Sequence, residues 1–170
     1  MSPVRNKPSK KTADLRITNR TSNGMNKKII TLCSSANFYK HVNEVADELE
    51  KRGFKTIVPL DCRSMKKTGN YDVSVVKTWY KDPADFHKKA FFIRDHFREI
   101  EKADVILMVN DEKHGLKGYI GPNGLMEMAL AYYLKKPIYI LNEVTKDNSV
   151  YEEVMGVGAQ LLNGDLNKLK

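Results

Sequence analysis

Lys28-Ile29-Ile30-Thr31-Leu32-Cys33-Ser34-Ser35-Ala36-Asn37 is the stretch that decides the fold. An unbroken apolar, β-branched run over residues 28–33 is the pattern of a parallel strand buried on both faces. The small residues behind it, with Asn37 as a suitable N-cap, announce a helix. Phe38, Val42, Val45, Ala46 and Leu49 then recur at helical spacing as far as Arg52, and Gly53 stands where a C′ glycine ends a helix. Residues 54–60 read as a second strand. Strand, helix and strand at these lengths make a βαβ unit.

Outward from that unit, residues 61–82 read as polar and irregular, with a turn at Gly69-Asn70 and Trp79-Tyr80 as an aromatic landmark. A helix is expected from Asp82-Pro83 to Lys102, with Phe86, Ala90, Ile93, Phe97 and Ile100 along one face. A strand over 104–109, a loop over 110–117, a helix ending near Lys135 and a fourth strand over 138–141 follow. A short helix at 151–155 and an edge strand at 159–162 close the chain. The alternation predicts an α/β fold: a single open, mainly parallel, doubly wound (Rossmann-like) sheet of four to five strands flanked by helices.

A length of 170 residues suits one domain with a sizeable core. No apolar run is long enough for a membrane span, and no secretory h-region opens the sequence. Cys33 and Cys62 do not form a disulfide framework, no Cys/His spacing suggests a zinc site, and a reducing cytoplasm is the default. The net charge of +8 is unevenly placed: eight of the 29 Lys/Arg but only one of the 21 Asp/Glu lie in residues 1–28. Residues 1–26 are therefore expected to be a disordered basic arm, with weak nucleic-acid contact as its conceivable use, and 27–170 a nearly neutral domain.

The chemistry points to Gly118-Tyr119-Ile120-Gly121-Pro122-Asn123-Gly124-Leu125-Met126-Glu127-Met128-Ala129-Leu130-Ala131. A Gly-rich turn between a strand and a helix brings backbone N–H groups close to a polar or anionic ligand. Glu127, set among Leu125, Met126 and Met128, is either a helix-dipole glutamate or a carboxylate kept for chemistry on a sugar carbon. Ser34 and Ser35 could hold a phosphate or a sugar hydroxyl, or cap the next helix. Trp79 and Tyr80 could stack on a base or anchor their loop. Cys33 reads as a small core residue rather than a nucleophile, Tyr132, Tyr133, Met126 and Met128 as core or subunit contact, and Asp104 as a cap of the helix–strand junction. A dinucleotide enzyme or a P-loop protein is disfavoured, because neither fingerprint occurs after the first strand.

Three blocks in this order carry a family resemblance: Leu-Cys-Ser-Ser-Ala-Asn-Phe closing the first strand, the segment His96 to Asp104, and Gly118-Tyr119-Ile120-Gly121 with Glu127 and Ala131. Over residues 27–165 the chain resembles the nucleoside 2-deoxyribosyltransferase superfamily, which includes deoxynucleoside-monophosphate N-glycosidases. The resemblance implies cleavage or exchange of an N-glycosidic bond with Glu127 as nucleophile, no cofactor or metal, and a homo-oligomer. It implies that His96 or Asp95 handles the leaving base, at a place where the family usually has an aspartate. Ser34, Ser35, Asn37, Trp79, Gly118, Tyr119, Gly121, Asn123 and Gly124 are the implied contacts of a nucleoside or nucleotide substrate. The alternative is a non-catalytic nucleotide-binding module in which Glu127 only binds a ribose hydroxyl.

Overall fold

A computed structural model describes residues 27–170, so the expectations for the basic arm lie outside the described residues. β1 (Ile29–Ser34) runs parallel to β2 (Lys55–Ile57) on one side and to β3 (Val105–Val109) on the other. β4 (Ile138–Ile140) and β5 (Gln160–Leu161) extend the sheet in parallel, giving the order β2-β1-β3-β4-β5. This is the doubly wound arrangement expected from the alternation of strands and helices.

The period of two along each strand sends side chains to two separate cores. Ile30, Leu32, Val105, Leu107 and Val109 face the layer of α1 (Tyr39–Lys51) and α2 (Leu60–Thr68). Cys33, Ile106, Met108, Ile138 and Ile140 face the layer of α4 (Phe86–Lys102), α5 (Pro122–Tyr133) and α6 (Tyr151–Gly156). Cys33 is thereby directed at α4 and α5, whereas its neighbours in sequence are not.

Several expectations are corrected. Residues 61–82 are mostly ordered into α2, a single turn α3 (Val73–Val76) and a 3-10 turn at Thr78–Tyr80. Only Cys62 and Met65 of α2 are buried, so too few apolar residues mark its inner face. The second strand stops at Ile57, because Pro59, which has no N–H to donate, takes the N-cap of α2. Asn37 does not cap a helix; it lies inside a 3-10 turn, Ala36–Phe38, whose N-cap Ser35 makes no side-chain capping bond. The expected apolar stripe of α4 holds at Ile100, which is buried, and at Phe97, which is half-buried against the same core, but fails at Phe86, which is exposed, and the polar His96 and Glu99 are buried as well. Tyr132, Tyr133 and Met126 are exposed, which removes the core reading for these three and leaves that of a subunit contact, while Met128 is core. Asp104 accepts the Ile29 N–H at 2.7 Å, fastening the start of β1 instead of its own helix end.

Candidate active site

The direction of winding reverses at β1, with β2 to one side and β3 to the other. In such sheets the crevice beyond the carboxyl ends of the strands at this point receives ligands. A cavity of about 360 Å³ opens there, within the range of small-molecule sites. Ser34 and Ser35 at the end of β1, His96 of α4 and Glu127 of α5 all border it.

Gly121 caps α5 and Pro122 fills its first turn, where the missing N–H costs nothing. Glu127 follows one turn later on the same buried stripe as Gly124, Met128 and Ala131. Gly124 is needed for that packing, since a Cβ there would stand 3.1 Å from Ile120 Cγ2 and 3.2 Å from Met108 Cε. The helix is thus pressed onto β3 with a carboxylate on its inner face. Glu127 is buried, and its Oε2 has no hydrogen-bond partner. Burial pushes its pKa up, against the partial counter-pull of His96.

His96 is the group facing it. Its Nε2 lies 3.7 Å from Glu127 Oε1 and is likewise without a hydrogen bond. On its other side Nδ1 lies 3.0 Å from Glu99 Oε2, and Glu99 Oε1 accepts from Arg63 at 2.7 Å. A carboxylate can only accept, so Nδ1 carries the proton and the Nε2 lone pair, or its added proton, points at Glu127. Burial works to lower the His96 pKa, but Glu127 and Glu99 outweigh it and the net shift is upward. For Glu99 burial is likewise overcome, by His96 and Arg63, and its pKa is lowered. The result is a line of alternating charge, Arg63–Glu99–His96–Glu127, drawn from α2, α4 and α5.

Other polar groups on the wall carry no motif in the sequence. Tyr39 donates its hydroxyl to Asp61 Oδ2 at 3.2 Å, and burial raises the Asp61 pKa. Lys77, Lys89 and Lys113 border the same cavity. The Lys77 pKa is lowered by burial and then by the positive charges of Lys113 and Lys89. Lys113 reaches Ser35 Oγ at 3.4 Å and stands 4.9 Å over the Tyr119 ring, and Lys89 stands 5.7 Å over Trp79.

No family model and no curated protein matches the chain. Among solved structures it is similar to a 2-deoxyribosyltransferase from the psychrotolerant bacterium Bacillus psychrosaccharolyticus. The two are 18% identical, over 66% of this chain and 70% of that one, with a TM-score of 0.44. That distance transfers no residue role.

Of the residues singled out in the sequence, Ser34, Ser35, Trp79, Tyr119, Gly121, Asn123 and Gly124 share the cavity wall with His96 and Glu127. Ser34 donates to Val109 O at 2.8 Å, tying the ends of β1 and β3 together and leaving its lone pairs to the cavity side. Trp79 is buried and tilted against Phe92 at 6.5 Å. Asp95 is not on the wall, although its neighbour His96 is. Asn37 borders a separate depression beside Ser74 and Lys81. Gly118 is a structural glycine: its φ is +64°, and a Cβ would fall 1.9 Å from the Glu143 carbonyl oxygen. Its own carbonyl accepts from Asn110 and Asn148, so the loop before α5 is fixed to the end of β3 and to the segment between β4 and α6.

Proposed function

We propose that the chain cleaves or exchanges the N-glycosidic bond of a (deoxy)nucleoside or nucleoside 5′-monophosphate, with Glu127 as nucleophile. The supporting observation is a buried carboxylate with a free oxygen, bordering a cavity and facing a histidine that Glu99 holds in one tautomer.

In this reading a Glu127 carboxylate oxygen attacks C1′, the C1′–N bond breaks, and its electron pair leaves on the base nitrogen. The Glu127–His96 pair holds one proton between two raised pKa values; with it on His96, Glu127 is the carboxylate and Nε2–H is the acid for the base. Water then attacks C1′ of the glycosyl ester and gives its proton back to His96, and the carboxylate is released. An acceptor base in place of water gives exchange. Burial keeps the nucleophile poorly solvated and strengthens the field of His96 upon it.

Trp79 offers a face for the base, and Ser34 and Ser35 offer acceptors for sugar hydroxyls. Lys77, Lys89 and Lys113, which all border the cavity, favour a substrate bearing a phosphate. Exposed Phe91 on α4 with Met126, Tyr132 and Tyr133 on α5 suits a homo-oligomer formed through these helices. No helix of the described residues is long and apolar enough to cross a membrane. A cytoplasmic location and a nucleic-acid contact through residues 1–26 belong to the same proposal.

The test is a panel of nucleosides and 5′-monophosphates, with and without an acceptor base, assayed for released base. Release from at least one supports the assignment. Binding with no release from any makes the protein a nucleotide-binding module instead.

A further inference from the structure

Three buried side chains from three different elements bring a thiol, an imidazole and a carboxylate together: Cys33 of β1, His96 of α4 and Glu127 of α5. One ligand atom from each lies within 4.8 Å of the others. We propose that these three residues form a site for a single soft divalent cation of the zinc type, with its fourth position open to the cavity.

The donor set is one that zinc accepts, and three protein ligands with an open position is the arrangement of zinc sites that exchange small ligands. Bond lengths to sulfur, nitrogen and oxygen place tetrahedral donors roughly 3.3–3.6 Å apart. His96 Nε2 and Glu127 Oε1 already stand at 3.7 Å, so the site closes with side-chain shifts of about 1 Å or less.

The surroundings match as well. A metal-binding histidine commonly donates its other N–H to a carboxylate, which fixes the tautomer and orients the ring. Glu99 does this to His96 Nδ1 and is itself held by Arg63, leaving the Nε2 lone pair directed at Glu127. His96 Nε2 and Glu127 Oε2 are two of the three buried side-chain polar atoms without a partner among the described residues. Unsatisfied buried donors and acceptors are rare; a cation held by Nε2 and one Glu127 oxygen would satisfy the histidine and neutralise the buried carboxylate. On binding, the Cys33 thiol proton leaves to solvent and the thiolate ligates.

This site goes beyond the glycosidase reading and does not depend on it. If that reading holds, the cation and C1′ compete for Glu127, so zinc inhibits base release and a chelator restores it.

The experiment titrates the chelator-stripped full-length chain with Zn²⁺ and, separately, Co²⁺, with no nucleotide present. One equivalent of Co²⁺ should give a thiolate-to-metal charge-transfer band in the near ultraviolet and tetrahedral d–d bands. Cys33→Ala should abolish the first, and Cys62→Ala should leave both. Glu99→Gln should weaken Zn²⁺ binding by about 10–100-fold, as loss of a supporting carboxylate does elsewhere. Glu127→Gln provides a second ligand variant that leaves the strand untouched, and it should weaken binding too. Absence of the thiolate band in the native chain, or equal Zn²⁺ affinity in native, Cys33→Ala and Glu127→Gln proteins, overturns the site. Because these readouts use metal alone, they stand or fall apart from any assay of base release.

Discussion

His96 Nε2 faces Glu127 Oε1 across 3.7 Å, in a buried setting where neither His96 Nε2 nor Glu127 Oε2 has a hydrogen-bond partner. The gap is too long for a hydrogen bond and short enough for strong coupling. Two groups held apart in this way are poised for something placed beside them.

Replacing His96 by Gln should lower kcat for base release by about 10²–10⁴-fold, the usual worth of a positioned acid–base group. Asp95→Asn, one residue away but off the cavity wall, should leave kcat unchanged. Steady-state kinetics on the two variants distinguishes them, and the opposite pattern would transfer the role to Asp95.

The charge line also predicts how stability varies with pH. The pKa values of His96 and Glu127 are both raised above their ordinary 6.5 and 4.5. The folded state therefore holds more protons than the unfolded chain in the range above those ordinary values, and stability contributed by the pair is lost as pH rises through the raised ones. Glu99, whose pKa is lowered, acts in the opposite sense and only as pH falls below the carboxylate range. The urea midpoint should fall as pH rises above the ordinary histidine value of 6.5, and Glu127→Gln should flatten that slope. A midpoint that rises over the same interval would contradict the coupling.

Lys113→Ala should raise KM for a nucleoside 5′-monophosphate by about 10–100-fold, the worth of one charge-assisted hydrogen bond. The corresponding nucleoside should be affected far less. Equal losses on both would remove the phosphate from the account.

Gly118→Ala should destabilise the fold by roughly 2 kcal/mol or more, since a Cβ is disfavoured at a positive φ and would meet a backbone carbonyl at 1.9 Å. Thermal or urea unfolding measures this directly. A neutral result would mean that the loop before α5 is held less firmly than its bonds to Asn110 and Asn148 indicate.

The sheet was legible because β1 and β3 are continuous apolar runs, and because Gly53 and Pro122 mark helix ends by their backbone chemistry. The loop to Glu127 stood out for the same reason. The rest of the site was hidden by distance along the chain. Glu99 and Arg63 look like surface charges until α2 and α4 meet, and Asp61 joins Tyr39 only across α1 and α2. Cys33 reads as a small core residue, and only the alternation of β1 shows that it points at His96 and Glu127. A search for metal ligands at short spacing does not find three donors on three elements. On α4 the apolar pattern marks Phe97 and Ile100 but not the two polar residues, His96 and Glu99, that are buried as well, and Phe86 remains outside.

The central claim is the covalent role of Glu127, and a matched pair of proteins tests it most directly. Native chain and Glu127→Gln are compared by calorimetric binding of the best nucleotide from the panel and by base released from it under single-turnover conditions. The account predicts similar affinity in both and release of base by the native chain alone, with Glu127→Gln slower by about 10³-fold or more. Release by Glu127→Gln at the native rate, or binding without release by the native chain, would contradict it.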